Sequence, residues 1–520
     1  MKKIHIFTLF ILFYVSNISA QQAGVLDSTF SKIGYATLEF FNSTDDAFGI
    51  TMQPADNKII VTGYTMNGIE LRIASARYHS NGSLDSSFGT NGKFMLQPRA
   101  GNSYSGSVQV QKDGKIVIAG HAESGSSTHK YDFMVFRLKS NGRLDSSFGM
   151  NGISYADFGT NSSAWTMSMK IQSNGKILLG GYIDSTKSRF AFARFNSNGS
   201  LDNTFNQDGK YAFPVAHLGT QMLSVEQQSD GKIIGAGLGS NSAILVRLDS
   251  NGIPDNSFGI AGTTAYKNGT KVTIAKDIKV LPDDKIIVAG NVRTGGYIDA
   301  LMARFNSNGS IDNTFGASGS RIYSYSSSDD EFTCTEVFSD GKIICAGYKV
   351  ISGSEDIIAA KFNSNGDPDS TFGQNGVFSK SLSAGNDRVN SIAIQGDQKP
   401  VISGWASGNN GTDFLVARIL NTPKTNGILE ISGLPFELNI YPNPAYETIN
   451  LHFGFVKPIE SLNIQIYDRM GKNVMDLPVI PGSIINKMNL AIDIRKLPAG
   501  LYYVKTIMNK YCQTQSWMKL

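Results

Sequence analysis

A six-residue apolar run recurs along the chain, opened each time by a lysine and closed by a glycine. In most copies a turn dipeptide such as Asp113-Gly114 or Asn174-Gly175 precedes the lysine. Because the central residues of a tight hairpin turn need positive φ, each run is predicted to be the second strand of a β-hairpin. The runs are Lys58–Gly63, Lys115–Gly120, Lys176–Gly181, Lys232–Gly237, Lys285–Gly290, Lys342–Gly347 and Lys399–Gly404.

A second apolar run follows each hairpin and carries one cation, as in MVFRL around Arg137. Apolar residues at consecutive positions indicate a strand that is buried on both faces of its sheet. With a further short strand after each F-G-x-x-G, the pattern predicts four strands per repeat. The cations are Arg77, Arg137, Arg194, Arg247, Arg304, Lys361 and Arg418.

A third mark reads D-[SN]-[ST]-F and recurs at intervals of 53 to 60 residues. Seven equivalent copies imply seven equivalent environments, which argues against a catalytic role. We interpret the aspartates as structural turn formers whose carboxylates accept backbone N–H bonds and can pair with the nearby cation. They are Asp27, Asp85, Asp145, Asp202, Asp255, Asp312 and Asp369.

Four-stranded repeats packed face to face around an axis would bury both faces of these strands. A linear stack would instead need polar capping repeats, and the ends of the repeat region show none. The two ends complement each other, since Leu26–Phe30 lacks the strand before its motif and Phe414–Leu420 lacks the motif after its strand. The sequence therefore predicts an all-β chain in which residues 21–421 form a seven-bladed β-propeller closed by its N-terminal segment.

The segments SNGSLDSSFGTNGK (residues 80–93) and DGKIVIAG (residues 113–120) resemble the delta-60 repeat family. That resemblance covers roughly residues 22 to 421 and implies a β-propeller of a bacterial exported protein, with no established activity. The copies depart from the pattern where Pro254 and Pro368 replace leucine and where Pro400 follows Lys399.

Beyond the repeats, residues 422–436 read as a linker. Residues 437–520 contain alternating β-rich runs separated by turn residues, which predict a small antiparallel, Ig-like sandwich of about seven strands. The motifs YPNPA, IYDRMGK and LPAGLYYV follow one another in this segment, and the chain ends in a short strand before Leu520.

These ordered motifs resemble the type A C-terminal sorting domain of the type IX secretion system. The resemblance implies a partner, the outer-membrane translocon that reads the domain, and delivery to the medium or outer surface of a Gram-negative cell. A plain Ig-like ligand-binding module is the alternative. The residues that carry the match are Tyr441, Pro442, Asn443, Pro444, Gly471, Pro498 and Gly500.

The N-terminus places Lys2 and Lys3 before an apolar stretch from Ile4 to Val15 and a small-residue exit. This pattern predicts a signal peptide over residues 1–20, cleaved between Ala20 and Gln21. A membrane anchor is the alternative, but the stretch is short against the roughly 20 residues of a spanning helix. No transmembrane segment is expected in the mature chain.

The charge balance is weak, with 47 basic and 43 acidic residues among 520, a net charge of +4. The electrostatic field of so small a net charge does not favour nucleic acid as a partner. Cys334 and Cys345 flank the turn at Asp340-Gly341 out of direct register, so we expect two core residues rather than a disulfide.

The sequence contains no HExxH, G-x-S-x-G or phosphate-binding loop motif. We therefore assign no catalytic, metal or cofactor-binding residue and expect no cofactor. Turns such as Asn306–Asp312 offer one carboxylate among neutral amides, too few for a strong calcium site. An enzyme whose site is assembled from several blades is an alternative that such motifs would miss.

The position after each closing glycine is aromatic in most repeats, and rotation about an axis would place these residues at one height. Such a rim could stack on the faces of sugars. The alternative is a set of wedges between blades. The candidate ligand rim is Tyr64, His121, Tyr182, Asn291, Tyr348 and Trp405, with Leu238 at the remaining position.

Together these features predict an exported binding protein with a glycan or protein ligand. The alternatives are a polysaccharide-acting enzyme with its site on one propeller face and a structural adhesion component.

Overall fold

The computed structural model describes residues 23–126, 130–159, 162–184, 188–214, 219–422, 436–441, 443–455, 459–469, 472–484, 487–508 and 511–520. The predicted signal peptide with Ala20 and Gln21, most of the predicted linker, Pro442 and Gly471 lie outside these residues. The chain divides into a compact unit of residues 22–422 and a second unit that contains residues 423–520. Among the described residues, no helix has the length and apolarity needed to cross a membrane.

The described part of the first unit contains seven antiparallel four-stranded sheets. Six of them run consecutively along the chain. They are β2–β5 (Asp45–Met52, Ile59–Asn67, Glu70–Tyr78, Lys93–Leu96), β6–β9 (Ser103–Val110, Ile116–Glu123, Tyr131–Leu138, Ile153–Ala156), β10–β13 (Ser163–Ile171, Ile177–Asp184, Arg189–Phe195, Lys210–Phe213), β14–β17 (Gln221–Gln227, Ile233–Gly239, Ser242–Leu248, Thr263–Tyr266), β18–β21 (Thr273–Val280, Ile286–Thr294, Tyr297–Phe305, Ser320–Tyr323) and β22–β25 (Asp330–Val337, Ile343–Ile351, Ser354–Phe362, Val377–Lys380).

The seventh sheet joins the two ends of the unit. It combines β26 (Asp387–Ile394), β27 (Pro400–Ser407) and β28 (Thr412–Arg418) with β1 (Tyr35–Leu38) from the N-terminal end. Strand β1 pairs with β28 in the register Tyr35↔Ala417. The first strands of successive sheets contact one another in order, and β26 contacts β2, so the sheets close a ring. The all-β propeller predicted from the repeats is confirmed.

Burial explains why the second and third strands have consecutive apolar residues. All eight residues of β8 are buried, because sheets pack against both of its faces. The hydrophobic clusters accordingly combine residues of neighbouring sheets, such as Ile118 on β7 with Ile60 on β3. The core thus lies between the blades rather than within any one of them.

The D-x-[ST]-F motif joins each blade to the next. Asp145 Oδ1 accepts a hydrogen bond from the Ser147 hydroxyl at 2.7 Å, and its Oδ2 lies 2.9 Å from Arg137 Nε and 3.4 Å from Lys115 Nζ. Arg137 also donates to the carbonyl of Ser197 in the following repeat at 2.7 Å. Its guanidinium carbon lies 4.8 Å from the centre of the buried Phe148 ring.

The same arrangement recurs in the other repeats. The distance from arginine Nε to aspartate Oδ2 is 2.6–3.0 Å at six of the seven motif aspartates. At the seventh, Lys361 replaces arginine and lies 3.3 Å from Asp369. The cation of the third strand, the lysine of the second strand and the motif aspartate therefore form one ion cluster per blade.

The ion clusters predict that the propeller loses stability in acid. Burial alone would raise the pKa of Asp145, but hydrogen bonds from Ser147 and the charges of Arg137 and Lys115 outweigh it and lower the pKa to about 2. The pKa of Asp202 is lowered to about 2 by the same kinds of contact. Because the folded-state pKa lies below the unfolded value, these groups stabilise the fold fully above about pH 4 and lose that contribution as the pH falls towards 2. We expect the melting temperature, followed by circular dichroism, to fall steeply between about pH 4 and pH 2; a flat profile over this interval would contradict this assignment.

In its described residues, the second unit contains seven strands in two sheets. They are β29 (Phe436–Tyr441), β30 (Thr448–Phe455), β31 (Ile459–Asp468), β32 (Asn473–Ile484), β33 (Lys487–Asp493), β34 (Gly500–Met508) and β35 (Tyr511–Lys519). The sheets have the orders β29-β30-β33 and β32-β31-β34-β35. Their buried side chains, among them Leu451, Ile466 and Trp517, form one core, as predicted for a small sandwich.

Three motif residues of this unit, Asn443, Pro498 and Gly500, lie beside its last two strands. Asn443 Oδ1 accepts a hydrogen bond from the backbone N–H of Met518 at 3.0 Å. The Tyr502 hydroxyl donates to the carbonyl of Pro498 at 2.7 Å, and Gly500 begins β34. Tyr441 is half exposed at the end of β29.

The two propeller cysteines are buried and free. Across β22 and β23, Cys334 pairs with Ala346 and Cys345 with Thr335, so the cysteines do not face each other. The predicted absence of a disulfide between them is confirmed.

Candidate functional site

The first strands of the seven blades surround an axial channel with a cavity of about 470 Å³. Each of these strands has a β-bulge at the same level, where one residue has no partner on the second strand. Bulges bend a strand and redirect side chains. The seven bulged residues all line the channel and are Phe48, Gly106, Met167, Leu223, Lys276, Thr333 and Asn390.

Some side chains also donate hydrogen bonds to backbone carbonyls on the free edges of the first strands. Asn390 donates to the carbonyl of Ala47 at 2.9 Å, and Thr333 donates to the carbonyl of Val389 at 2.7 Å. These two contacts tie the first strand β22 to β26 and β26 to β2. They give the channel a fixed wall on which a binding surface can be built.

Two rings of residues lie at the end of the channel where the first strands begin. The inner ring consists of the first-strand residues Asp46, Tyr104, Trp165, Gln221, Ile274, Glu331 and Arg388. Each is the direct cross-strand partner of one position of the predicted rim, which forms the outer ring: Tyr64, His121, Tyr182, Leu238, Asn291, Tyr348 and Trp405.

The structure distinguishes the predicted rim residues by their exposure. Tyr64, Tyr182 and Trp405 are partly exposed. His121, Asn291 and Tyr348 are buried, with 7%, 4% and 6% of their surfaces accessible. At these three positions the inner-ring partners are Tyr104 and Ile274, which are partly exposed, and Glu331, which is also buried.

Aromatic side chains of both rings, together with the bulged Phe48, form a continuous series over three neighbouring blades. Ring centres are 5.7 Å apart for Phe48 and Tyr64, 5.4 Å for Tyr64 and Tyr104, and 4.8 Å for Tyr104 and His121. The series continues from His121 to Trp165 at 4.9 Å and ends at Tyr182, 6.2 Å further on and nearly parallel to Trp165. We call the six residues Phe48, Tyr64, Tyr104, His121, Trp165 and Tyr182 the aromatic track.

Burial sets the protonation of the track. It lowers the pKa of His121 to about 4, so the imidazole is neutral at neutral pH. Burial and the neighbouring Asp46 carboxylate raise the pKa of Tyr64 well above its ordinary value. The Tyr64 hydroxyl donates to Asp46 at 2.5 Å, and Thr412 donates to the other oxygen of Asp46 at 2.5 Å. The track is therefore uncharged at neutral pH.

The opposite side of the two rings carries ion pairs. Arg388 donates to both carboxylate oxygens of Glu355, at 2.9 and 2.5 Å, and its guanidinium carbon lies 4.1 Å from the centre of the Tyr348 ring. Glu331 accepts a hydrogen bond from Asn291 at 2.5 Å and lies 2.8 Å from Lys276 Nζ. In the part of the chain that the structure describes, no group of three or more His, Cys, Asp or Glu side chains is placed to hold a metal ion.

The inner ring was not among the residues predicted from the sequence. Its members lie 17 residues before the corresponding outer-ring position, or 18 residues for Asp46, whose hairpin is one residue longer. This fixed offset was a usable signal. It was overlooked because the first strands vary in composition from repeat to repeat.

Two family models match the sequence. The model described as a domain of unknown function (DUF5122) β-propeller matches six segments, residues 55–88, 111–148, 172–205, 228–258, 281–315 and 339–372. The model described as a secretion system C-terminal sorting domain matches residues 439–519. A comparison with curated proteins finds no match.

Solved structures with similar chains include an ulvan lyase, a polysaccharide lyase bound to -[GlcA(1-4)Rha3S]-, at 14% identity and a TM-score of 0.46, covering 74% of this chain and 96% of the other. A protein of unknown function from Dyadobacter fermentans is 10% identical, with a TM-score of 0.40 and coverage of 75% and 98%. An exo-1,5-α-L-arabinanase from a bovine ruminal metagenomic library is 10% identical, with a TM-score of 0.27 and coverage of 60% and 91%.

Proposed function

Because the chain combines a β-propeller of DUF5122 repeats with a secretion-system C-terminal sorting domain, we propose that it is a binding protein delivered to the cell surface or medium by type IX secretion. The sorting domain accounts for export and carries the contact with the secretion machinery. The propeller supplies the binding function, with a glycan as its ligand. The aromatic track is the observation that carries this proposal.

Aromatic rings bind sugars by packing against their C–H faces while hydroxyls at the sugar edges form hydrogen bonds. Tyr64, Tyr104, Trp165 and Tyr182 are each partly exposed at one end of the channel. Among these exposed rings, the centres of Tyr64 and Tyr104 lie 5.4 Å apart and those of Trp165 and Tyr182 lie 6.2 Å apart, which is comparable to the length of one sugar unit in a polysaccharide. Gln221, exposed on the next first strand, offers an amide donor and acceptor beyond Trp165.

The protonation of the rings favours binding over proton transfer. A general acid or base has to exchange a proton with its substrate near the working pH. His121 is buried and neutral, and the oxygens of Asp46 are hydrogen-bonded to Tyr64 and Thr412. These groups stabilise the shape of the site.

The experiment is a binding screen of the purified protein against soluble polysaccharides, with Trp165→Ala and Tyr104→Ala beside the wild type. We expect each substitution to weaken binding by about 10- to 100-fold, because truncating a central aromatic anchor costs about 2 kcal/mol or more. Isothermal titration calorimetry measures the affinity, and product analysis follows every hit.

Tyr297→Ala is the matched control, since Tyr297 is 54% exposed on β20 and lies outside the track. It should bind like the wild type. Binding that is unaffected by the track substitutions would refute the assigned surface, and a panel without any bound polysaccharide would refute the glycan ligand. Released oligosaccharides would show an enzyme.

A further inference from the structure

The charges of the two rings restrict the class of glycan. Of the fourteen ring positions, all within the described residues, three carry charged side chains: Asp46, Glu331 and Arg388. One arginine against two carboxylates leaves the rings with one net negative charge. Resting on the glycan-binding function proposed above, we propose that the ligand is an uncharged polysaccharide rather than a uronate-rich or sulfated one.

Recognition of an anionic sugar needs a cation whose hydrogen-bond donors are available to it. Arg388 is the cation of the two rings, and Glu355 already binds it through two hydrogen bonds. One face of the Arg388 guanidinium is also covered by the Tyr348 ring, whose centre lies 4.1 Å from the guanidinium carbon. Glu355 takes two of the five N–H donors of Arg388 and balances its charge, so an acidic sugar would meet an arginine that is already neutralised.

The charge of Lys276, the bulged lysine that lines the channel next to the rings, is also balanced by a carboxylate. Lys276 Nζ lies 2.8 Å from Glu331, which is buried. Deeper in the channel wall, Lys279 lies 2.7 Å from Glu336 and Lys170 lies 2.5 Å from Glu226. The cations on this wall are therefore paired with carboxylates of the protein.

The groups beside the aromatic track are suited to hydroxyls. Asp46 lies beside Tyr64 at one end of the track, and its carboxylate repels an anion there. Gln221 lies beyond Trp165 towards the other end and carries no charge. An uncharged polysaccharide can therefore lie along the whole aromatic track without bringing a charge close to either end.

The test compares neutral polymers (laminarin, xylan and galactomannan) with acidic ones (polygalacturonate and alginate) in low and high salt. We expect the wild type to bind at least one neutral polymer with an affinity that changes little with salt, and to leave both acidic polymers unbound. Glu355→Gln frees Arg388, so this variant should gain binding of an acidic polymer that is abolished by about 0.5 M NaCl. Glu70→Gln makes the same change of charge at an exposed site and should show no gain.

Two results distinguish a failure of the charge inference from a failure of the proposed glycan-binding function. If the wild type binds polygalacturonate or alginate and Arg388→Gln abolishes that binding, the inference about charge is overturned while the glycan-binding function stands. If neither class binds, the proposed function fails and this inference fails with it.

Discussion

Deletion of residues 23–38 is expected to abolish the cooperative fold of the propeller. This segment contains Asp27, Phe30 and β1, and it completes the sheet that ends in β28. Its backbone also joins the other end of the unit, since Gly24 donates to the carbonyl of Leu420 at 2.7 Å and Asp27 donates to the carbonyl of Arg418 at 2.8 Å.

The expected loss is large because two buried interactions disappear together. Phe30 is fully buried, and removing an aromatic side chain from a core costs about 3–5 kcal/mol. Asp27 is the counter-ion of the buried Arg418, and removing one partner of such a pair costs about 3–5 kcal/mol more. The two losses together approach the whole stability of a typical domain, about 5–15 kcal/mol.

Thermal unfolding of the truncated chain measures this effect. The wild type should melt in a cooperative transition, and the truncated chain should lack the transition of the propeller. A synthetic peptide of residues 23–38, added in excess, should restore it by rebuilding the closing sheet. If the truncated chain melts at the wild-type temperature without the peptide, the ring is not held closed by its N-terminal segment.

The second large effect is expected from Asp145→Asn. The substitution keeps the shape of the side chain but leaves Arg137 and Lys115 without their shared carboxylate. Arg137 is buried with only 7% of its side chain accessible, so its charge cannot be solvated by water. We expect a loss of about 3 kcal/mol, measured by denaturant unfolding.

The same blade supplies the control. Asp113 also pairs with Lys115, at 3.5 Å, but 54% of its side chain is exposed. Asp113→Asn should change the stability by less than about 0.5 kcal/mol, because exposed ion pairs contribute little. Equal effects of the two substitutions would contradict the structural role assigned to the motif aspartates.

The sequence was sufficient to predict the blade pattern because that pattern repeats. The hairpin turns, the consecutive apolar positions of β8 and the motif around Asp145 recur with one period, so each copy supported the others. The complementary ends of the repeat region likewise predicted that β1 completes the sheet of β28. Local rules of turn formation and burial were enough for these features.

The candidate site could not be predicted to the same extent because it depends on differences between blades. The aromatic track requires Tyr104 and Trp165 on first strands whose composition varies from repeat to repeat. The bulges that place Phe48 in the channel have no sequence signature of their own. The burial of His121, Asn291 and Tyr348 follows from the packing of neighbouring blades, which a single strand does not encode.

The central claim, that the aromatic track is the ligand-binding surface, can be tested most directly by tryptophan fluorescence. The chain has three tryptophans, of which Trp517 is buried in the second unit and Trp405 lies outside the track. In a Trp405→Phe variant, titration with a polysaccharide identified by calorimetry should change the fluorescence in a saturable way, with the calorimetric affinity. The change should disappear when Trp165→Phe is added. Calorimetric binding without any fluorescence change in the Trp405→Phe variant would place the ligand elsewhere and contradict this account.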